Sequence, residues 1–464
     1  MNLGQKIGRM LRIDNPERSW SASLPEPERK AILNIANEVA SRLANPEILA
    51  KAIADSKRQA ERPEYMRWQP HDIAQGDAGL ALMFGQMDLC FPHQGWDRHA
   101  YNSLKQAENL QFYEMGLGIF SGLSGLGYMA FCLSKNGTRY QKMSPAIDSS
   151  LLSLLDNNAR NYSVSFDYTD VSVWDVISGF SGEARYLIAK KEFPGVRPVL
   201  ENVLRALIAT TRDVKGLPRW FTPPELAPGE HMRATYPSGN LNCGLAHGIP
   251  GPLSALSLAK THGIEVEGQE VAIRKIADWL LAHRTDDKYG MNWPSAVSIK
   301  NIGTKDSPRY LQTTEGLIPS HTGWCYGLSG VAVSLWNAGT ALNDKNYREK
   351  AIEIMRSVFA RPMVERMMVN PGLCHGFAGQ MQISMRFAHN TGLPAFRENA
   401  CQILQFLLKK YYNPDTLLEF QSRDAGPNPI DNPGMLDGAP GVILALLAAS
   451  TNVEPTWDHI FMLS

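Results

Sequence analysis

The chain has 464 residues, of which 44% are hydrophobic, and this is enough to build a large buried core. Lysine plus arginine total 46 and aspartate plus glutamate also total 46, so the net charge is zero and does not favour nucleic acid as a partner. Six cysteines in a chain of this length do not make a disulfide framework. We therefore expect a cytoplasmic protein whose thiols stay reduced and free to bind metal.

The sequence contains neither a recognisable targeting signal nor a membrane span. Residues 1–20 carry basic side chains but lack the apolar core of a signal peptide. The longest apolar runs, such as residues 442–449, fall short of the ~20 residues that cross a bilayer. We expect no transmembrane segment, and contact with a membrane only through partner proteins.

A Gly-x-x-Gly pattern occurs seven times, and each copy opens a mostly apolar segment with the character of a buried helix. A more amphipathic helical candidate precedes each copy. The glycine pairs are residues 76–79, 122–125, 179–182, 248–251, 327–330, 376–379 and 438–441. The amphipathic candidates are residues 30–57, 98–111, 144–157, 197–211, 269–283, 346–360 and 395–411.

Seven such helix pairs can stack as an open solenoid or close into a ring. If the apolar helices form an inner ring that the amphipathic helices cover, the fold is an α/α toroid. The glycines would then allow close backbone approach near the axis and suit helix N-caps, although ordinary turn glycines are the plainer alternative. A polar residue precedes every pair, which predicts a polar ring at one mouth: Gln75, Ser121, Ser178, His247, Tyr326, His375 and Asp437.

Two long linkers, residues 213–243 and 285–323, lack a helical period and are rich in glycine, proline and aromatic residues. We expect them to form loops or short strands over the mouth of the ring. They either contribute to peptide binding or merely connect the helix pairs.

Two cysteines and a histidine share one position in consecutive copies. Cys325 and Cys374 each stand two residues before the first glycine of their pair, and His375 follows Cys374 directly. If the copies are neighbours, two thiolates and an imidazole form a zinc site of the catalytic kind, with an open fourth position. Soft ligation suits a substrate thiol, which favours thiol alkylation over hydrolysis. Three other cysteines lie in apolar runs and are interpreted as buried: Cys90, Cys132 and Cys401.

A histidine without a neighbouring cysteine occupies the same position in the fourth copy. This residue, His247, can be oriented by a carboxylate from the third copy, where Asp175 lies four residues before the first glycine. Such a pair can perform general acid–base catalysis. A structural histidine is the plainer alternative.

The motifs GLAHGIPG at 244–251, WCYG at 324–327, CHG at 374–376 and DVISG at 175–179 resemble the lanthionine synthetase cyclases, the LanC family. The resemblance covers nearly the whole chain. It implies an all-α protein with one domain, residues 1–464, folded as an α/α toroid of seven inner and seven outer helices. It also implies that the protein adds peptide cysteine thiols to dehydroalanine or dehydrobutyrine, which closes thioether rings.

The resemblance also implies roles for individual residues. It makes His247 and Asp175 the acid–base pair, and Tyr326 follows the first zinc ligand as it often does in the family. Many members carry an arginine four residues before that ligand, where this chain has His321. Either His321 takes over the arginine's part in handling the enolate, or that part is absent. The zinc ligands by resemblance are Cys325, Cys374 and His375.

The expected activity is therefore that of a zinc-dependent lanthionine synthetase in lantibiotic biosynthesis. Its substrate would be a dehydrated precursor peptide, and a separate dehydratase and an exporter would be its partners. One alternative is a LanC-like protein that adds glutathione to dehydrated protein residues. The other is a zinc-bearing scaffold that binds peptides without catalysis. Protein prenyltransferase subunits also hold zinc in an α/α barrel, but that barrel has six helix pairs and an Asp/Cys/His site. The seven copies and the Cys/Cys/His set of this chain argue against that family.

Overall fold

Sixteen α-helices occur in the computed structural model, which describes residues 19–108, 115–135, 137–304, 309–423 and 428–464. In chain order they are α1 (Glu26–Ala44), α2 (Pro46–Gln59), α3 (Asp77–Cys90), α4 (Trp96–Glu108), α5 (Leu123–Cys132), α6 (Met143–Val164), α7 (Phe180–Ala189), α8 (Val196–Ala209), α9 (Gly229–Thr235), α10 (Pro250–Thr261), α11 (Gln269–Ala282), α12 (Leu328–Ala341), α13 (Lys345–Ala360), α14 (Phe377–Thr391), α15 (Pro394–Tyr411) and α16 (Ala439–Ser450).

The helices that follow the glycine pairs form the inner ring, and the amphipathic helices cover it. Every residue of α7 and of α16 is buried, as expected for helices surrounded by protein. The outer helix α11 buries only one stripe, which includes Ala272, Ile276 and Leu280 at helical spacing. The inner helices are α3, α5, α7, α10, α12, α14 and α16, and the outer helices are α1, α4, α6, α8, α11, α13 and α15.

The first predicted amphipathic segment, residues 30–57, is two helices rather than one. The side chain of Asn45 accepts hydrogen bonds from the backbone N–H groups of Glu47 and Ile48, which caps α2. Pro46 stands at the first position of α2, where its missing N–H costs nothing. The chain therefore turns at this point. The end of the second predicted segment, residues 109–111, lies outside the described residues.

The ring is closed. Each inner helix packs against the next one along the chain, and α16 packs against α3. The outer helix α1 covers α16, so the beginning of the described chain seals the last repeat. Of the two arrangements compatible with seven helix pairs, the protein therefore adopts the toroid and not the open solenoid.

A belt of backbone hydrogen bonds joins the loops that lead into the inner helices. Each bond links an N–H of one repeat to a carbonyl of the next, and the seventh bond returns to the first repeat. The N···O distances are 2.6–3.3 Å. The donors and acceptors are Ile73 and Phe120, Phe120 and Ile177, Val176 and Ala246, Ala246 and Cys325, Cys325 and Cys374, Cys374 and Leu436, and Leu436 and Ala74.

The second glycine of each pair lies against the loop that precedes its own helix. In six of the seven pairs a Cβ atom would stand within 2.3 Å of the carbonyl oxygen six residues upstream. Gly330 also faces the neighbouring repeat, where a Cβ atom would lie 2.8 Å from Cβ of Leu245. The close approach expected of these glycines is therefore present, but its main partner is the preceding loop and not another helix at the axis.

The two long linkers meet in one small sheet. In the sheet order β3-β6-β7, β3 comes from the first linker and β6 and β7 come from the second, and all pairs are antiparallel. The strands are β1 (Asp213–Val214), β2 (Leu217–Pro218), β3 (Asn240–Asn242), β4 (Thr285–Asp287), β5 (Gly290–Asn292), β6 (Ala296–Asn301) and β7 (Tyr310–Thr313). The short strands expected in these linkers are therefore present, although the sequence does not show that the linkers pair with each other.

The C-terminal segment fills the inside of the ring. In the 3-10 helix Thr456–Phe461, five residues beginning at Trp457 are buried. The ring of Phe461 packs against Trp324, with centroids 4.9 Å apart, and against Phe120 at 5.6 Å. Hydrogen bonds at 2.8–3.1 Å from several repeats reach the segment's backbone, from Tyr128 to Thr456, Arg185 to His459, Trp324 to Phe461 and Asn337 to Met462.

Among the described residues, none of the helices combines the length and apolarity that crossing a bilayer requires.

Removal of the Arg386 side chain should destabilise the packing of the C-terminal segment inside the ring, which we call the axial packing. Arg386 holds both carboxylate oxygens of Asp458, at 2.7 and 2.8 Å, and both side chains are almost fully buried. We expect Arg386→Met to lower the free energy of unfolding by about 3 kcal/mol, because it strands a buried carboxylate. Urea unfolding measures this loss.

The control for this prediction is Arg160→Met, which breaks an exposed helix pair with Asp156 and should cost at most about 0.5 kcal/mol. Adding Asp458→Asn to Arg386→Met should restore part of the lost stability. Equal effects of the buried and the exposed substitutions would contradict the structural role of the axial pair.

The expectation of one domain leads to a proteolysis prediction. A protease should cut first in the exposed helix α9 or in the exposed residues that flank β7, because these linker segments carry few buried side chains. The ring should nevertheless stay assembled after cleavage, since the fragments share the inner-helix contacts. Gel filtration of the nicked protein checks this. Release of a stable, folded half would contradict the single domain.

Candidate metal centre and acid–base pair

All seven polar residues that precede the glycine pairs remain at least partly exposed, whereas the glycine that follows each of them is buried. They therefore form the polar ring expected at one mouth of the toroid. Four of them belong to the site: His247, Tyr326, His375 and Asp437.

Cys325 and Cys374 are neighbours in the backbone belt, because the N–H of Cys325 donates to the carbonyl of Cys374 at 3.2 Å. With His375 they offer three ligand atoms that lie within 4.8 Å of one another. In the part of the chain that the structure describes, no other group of three histidine, cysteine or acidic side chains meets this criterion. The three predicted ligands thus lie together because they occupy corresponding positions in consecutive repeats.

The two adjacent ligands converge because they lie in a loop. The helix α14 begins at Phe377 with Gly376 as its N-cap, so Cys374 and His375 are outside it. The loops of three repeats press together here. A Cβ atom on Gly372 would lie 2.6 Å from Cα of Asp437, and one on Gly323 would lie 2.9 Å from Cα of His375.

The thiol of Cys325 has the acidity of a metal ligand. Its hydrogen bond with Cys374 lowers its pKa, burial raises it, and His321 and His375 lower it further, which leaves the pKa well below the usual value. By contrast, burial raises the pKa of Cys243, which lies outside the ligand group, to about 12. Thiolate is the form that binds metal. The two sulfurs and the imidazole therefore fit a zinc ion by their chemistry as well as by their spacing.

His375 has partners beyond the thiols. Its Nε2 lies 3.1 Å from the amide nitrogen of Asn370, and its Nδ1 lies 3.8 Å from Oδ1 of Asp437. The Oδ1 of Asn370 accepts from the backbone of Arg423 at 2.7 Å, which fixes the amide. These contacts hold the His375 ring in place beside the thiols.

His247 and Asp175 form a hydrogen-bonded pair, with Nδ1 of the imidazole 2.6 Å from Oδ2 of the carboxylate. The other oxygen of Asp175 accepts from the N–H groups of Ser178 and Gly179 at 2.8 and 3.0 Å. Asp175 is buried, whereas 40% of the His247 side chain is exposed at the mouth. Burial lowers the pKa of His247, but the hydrogen bond and charge of Asp175 outweigh it, so the pKa is raised.

Tyr326 stands between the acid–base pair and the thiols. Its ring centroid is 6.5 Å from that of His247, and its hydroxyl accepts from Nδ2 of Asn242 at 3.1 Å. Burial raises the pKa of the phenol, so the hydroxyl keeps its proton at neutral pH. Gly244 makes room for this ring, because a Cβ atom there would lie 2.6 Å from it.

His321 lies beside the ligand group but not in it. Its ring centroid is 6.0 Å from that of His375, and its Nδ1 accepts from the N–H of Gly323 at 3.0 Å. In a neutral ring this bond places the proton on Nε2. His321 therefore holds a turn with Nδ1, and its side chain also hydrogen-bonds the Cys325 thiol.

Other repeats use asparagine at the position of His321, six residues before the first glycine. Asn242 and Asn432 each accept from the backbone N–H two residues later, at 2.9 and 2.8 Å, as His321 does. Asn370 occupies the position in the sixth repeat. These asparagines were not predicted from the sequence. A comparison of the seven copies at the position six residues before the first glycine would have revealed them.

The toroid, the Cys/Cys/His group and the His–Asp pair at its mouth together indicate one protein family. A family described as "Lanthionine synthetase C-like protein" matches residues 67–462, and the chain belongs to this family. The resemblance indicated by the motifs is thus confirmed.

Individual relatives agree with this assignment. The chain is 23% identical over 399 residues to "Nisin biosynthesis protein NisC" of Lactococcus lactis subsp. lactis, covering 84% of this chain and 88% of that protein. A solved structure of "Nisin cyclase" matches with a TM-score of 0.70 at 19% identity, covering 89% of this chain and 97% of that chain. The structural match supports the toroid fold.

Proposed function

We propose that this protein is a zinc-dependent lanthionine synthetase. It joins a cysteine thiol of a dehydrated peptide to dehydroalanine or dehydrobutyrine in the same peptide, which closes a thioether ring. The observation that carries the proposal is the meeting, at one mouth of the toroid, of a Cys/Cys/His group and a His–Asp pair. Family membership and the likeness to NisC support it.

Cys325, Cys374 and His375 are the residues that would hold the zinc ion. When bound, zinc would take the substrate thiol as a further ligand and lower its pKa, so that a nucleophilic thiolate exists at neutral pH. The protein's own contribution is to fix the three donors. The backbone bond between Cys325 and Cys374 sets their spacing, and Asn370 and Asp437 orient the imidazole.

His247 supplies the proton that completes the addition. The new S–C bond forms at the β-carbon, the double-bond electrons move to the α-carbon and its carbonyl as an enolate, and the α-carbon then takes a proton. The hydrogen bond and charge of Asp175 raise the imidazole pKa, which favours the protonated form of His247. The thiol's own proton leaves to water and His247 regains a proton from water, so the reaction consumes no net acid.

Two further side chains contribute N–H or O–H groups near the reacting atoms. The Tyr326 ring lies 6.5 Å from that of His247 and carries a hydroxyl held by Asn242, and the His321 side chain hydrogen-bonds the Cys325 thiol. In this role His321 takes the place of the arginine that many relatives carry. A dehydratase must act before this protein, and we propose that the two associate with an exporter at the membrane.

Incubation of the zinc-loaded protein with a synthetic peptide that contains one dehydroalanine and one cysteine tests the proposal, with glutathione also present. Ring closure leaves the peptide mass unchanged and removes a thiol that an alkylating reagent would label. Addition of glutathione would increase the mass and favour the LanC-like alternative. A thiol that stays fully reactive after tight peptide binding would favour the scaffold.

A further inference from the structure

Large apolar side chains are exposed next to the site. Six of the thirteen such side chains among the described residues lie in two short segments, residues 309–318 and 364–369. The most exposed are Ile318 at 82% and Val364 at 79%. Clustered apolar exposure of this kind marks a binding surface rather than ordinary surface composition.

Both segments lead directly into the metal centre. Ile318 lies three residues before His321, and Val369 lies five residues before Cys374. The segment 364–369 is also tied to the loop that follows Ile318, since the N–H and the hydroxyl of Thr322 both donate to the carbonyl of Arg366, at 3.1 and 3.2 Å. The exposed apolar residues therefore flank the reacting position.

The segment 364–369 is held firmly although three of its four apolar side chains face solvent; the fourth, Met368, is buried. Met367 has a φ of 53° and is 51% exposed, so it is strained without gaining burial. The neighbouring Arg366 is buried and anchors the loop through hydrogen bonds to Gln380 and Asn399. The three exposed apolar side chains therefore project from a loop that is fixed in place.

A free strand edge accompanies the apolar residues. In the sheet order β3-β6-β7, the outer edge of β3 bonds to Thr222, whereas β7 pairs only with β6 among the described residues. The N–H of Ile302 donates to the Arg309 carbonyl, so these two residues form a hydrogen-bonded pair. Hydrogen-bonded and non-hydrogen-bonded pairs alternate along an antiparallel ladder, so Tyr310 and Gln312 belong to non-hydrogen-bonded pairs. The backbone groups of Tyr310 and Gln312 therefore point away from β6, and they are available to another strand.

We propose that the substrate peptide binds as an added strand along β7, with its apolar side chains on the exposed residues of segments 309–318 and 364–369. The occupant is an extended peptide that carries apolar residues beside its reacting cysteine. The chain beyond β7 runs through Ile318 to His321, beside the candidate metal centre, which places β7 and the site on one continuous segment. The inference rests on the proposed function. Main-chain bonds supply affinity in this mode, and side-chain contacts supply selectivity.

Binding can be measured without chemistry by using a fluorescein-labelled peptide in which serine replaces the reacting residues and leucine and valine flank them. Leu311→Ser and Ile318→Ser should each weaken binding by roughly tenfold or more, because each loses the burial of a large aliphatic side chain. The matched control is Val271→Ser, which removes a 71% exposed side chain near the start of the outer helix α11, two turns before the residue that contacts β7, Trp279, and should change nothing. Zinc content should be equal in all three variants.

Backbone N-methylation of the peptide, one residue at a time, tests the strand pairing itself. Affinity should fall at every second residue, since only alternate N–H groups of an added strand face β7. Uniform insensitivity would overturn the strand model. Sedimentation should show a monomer; a dimer that Leu311→Ser dissociates without changing peptide affinity would assign the edge to self-association instead.

These outcomes separate the docking surface from the proposed reaction. If Leu311→Ser and Ile318→Ser bind the peptide as tightly as Val271→Ser does, the docking surface is wrong even where thioether formation is observed. Intact, alternating peptide binding without any thioether formation would instead contradict the proposed function and leave the surface standing.

Discussion

Replacing Cys374 with alanine should leave the protein without bound zinc and reduce thioether formation to the detection limit. The change removes one of two thiolates from a three-donor group and also deletes the largest influence that lowers the pKa of Cys325. The loss should exceed the roughly 10–100-fold that follows removal of an outer partner of a metal ligand. Metal analysis of dialysed protein and mass spectrometry of the trapped peptide measure both effects.

The matched control for this prediction is Cys401→Ala. The interpretation of Cys90, Cys132 and Cys401 as buried was wrong, because all three are only partly buried. Cys401 is thus a partly buried free thiol like Cys374, but it lies on the outer helix α15 and outside the ligand group. It should keep full zinc and full activity. Retention of zinc by both Cys374→Ala and Cys325→Ala would mean that the ion, if present, is held elsewhere.

His247→Asn should retain zinc yet slow ring closure by roughly 10²–10⁴-fold, the contribution of a positioned acid or base. Asparagine preserves polarity and approximate size but cannot deliver a proton near neutral pH. His247 pairs with Asp175 and lies outside the ligand group, so metal content should not change. Loss of zinc would make His247 a ligand, and unchanged cyclisation would move the proton source to His321.

The pH profile distinguishes an acid from a mere structural contact. As an acid His247 works protonated, and Asp175 raises its pKa, so the rate should fall as pH rises through that raised value. In Asp175→Asn the raising charge is gone, and the fall should move to lower pH. A rate that increases over the same range would make His247 the base that takes the thiol proton.

Much of the fold could be predicted because it repeats. Seven glycine pairs with polar residues before them were enough to predict seven inner helices and a polar mouth. Closure of the ring was not decided by periodicity, since it depends on the contact of α16 with α3 and on the bond from Leu436 to Ala74. Both contacts join the first repeat to the last one. The sequence pattern of one repeat does not show whether it contacts the other.

The candidate site was predicted to the extent that its residues share a repeat position. Cys325, Cys374, His375 and His247 all stand near the first glycine of a pair, and the structure brings them to one mouth. The asparagines six residues upstream were not predicted, because only three of the seven copies carry one and their bonds to the backbone are not visible in the sequence. The axial pair of Arg386 and Asp458 could not be predicted, because the C-terminal segment belongs to no repeat.

The C-terminal segment fills the axis of the toroid, so the mouth is closed at its inner end and the ring does not form a tunnel. The aromatic cluster of Phe120, Trp324 and Phe461 lies directly behind the metal centre, since Trp324 adjoins Cys325. A peptide therefore cannot be threaded through the ring, and under the proposed function it would enter and leave by the same face. A substrate with several cysteines would then present them one after another from that side. Partly cyclised products should accordingly appear in solution during the reaction, before the last ring forms.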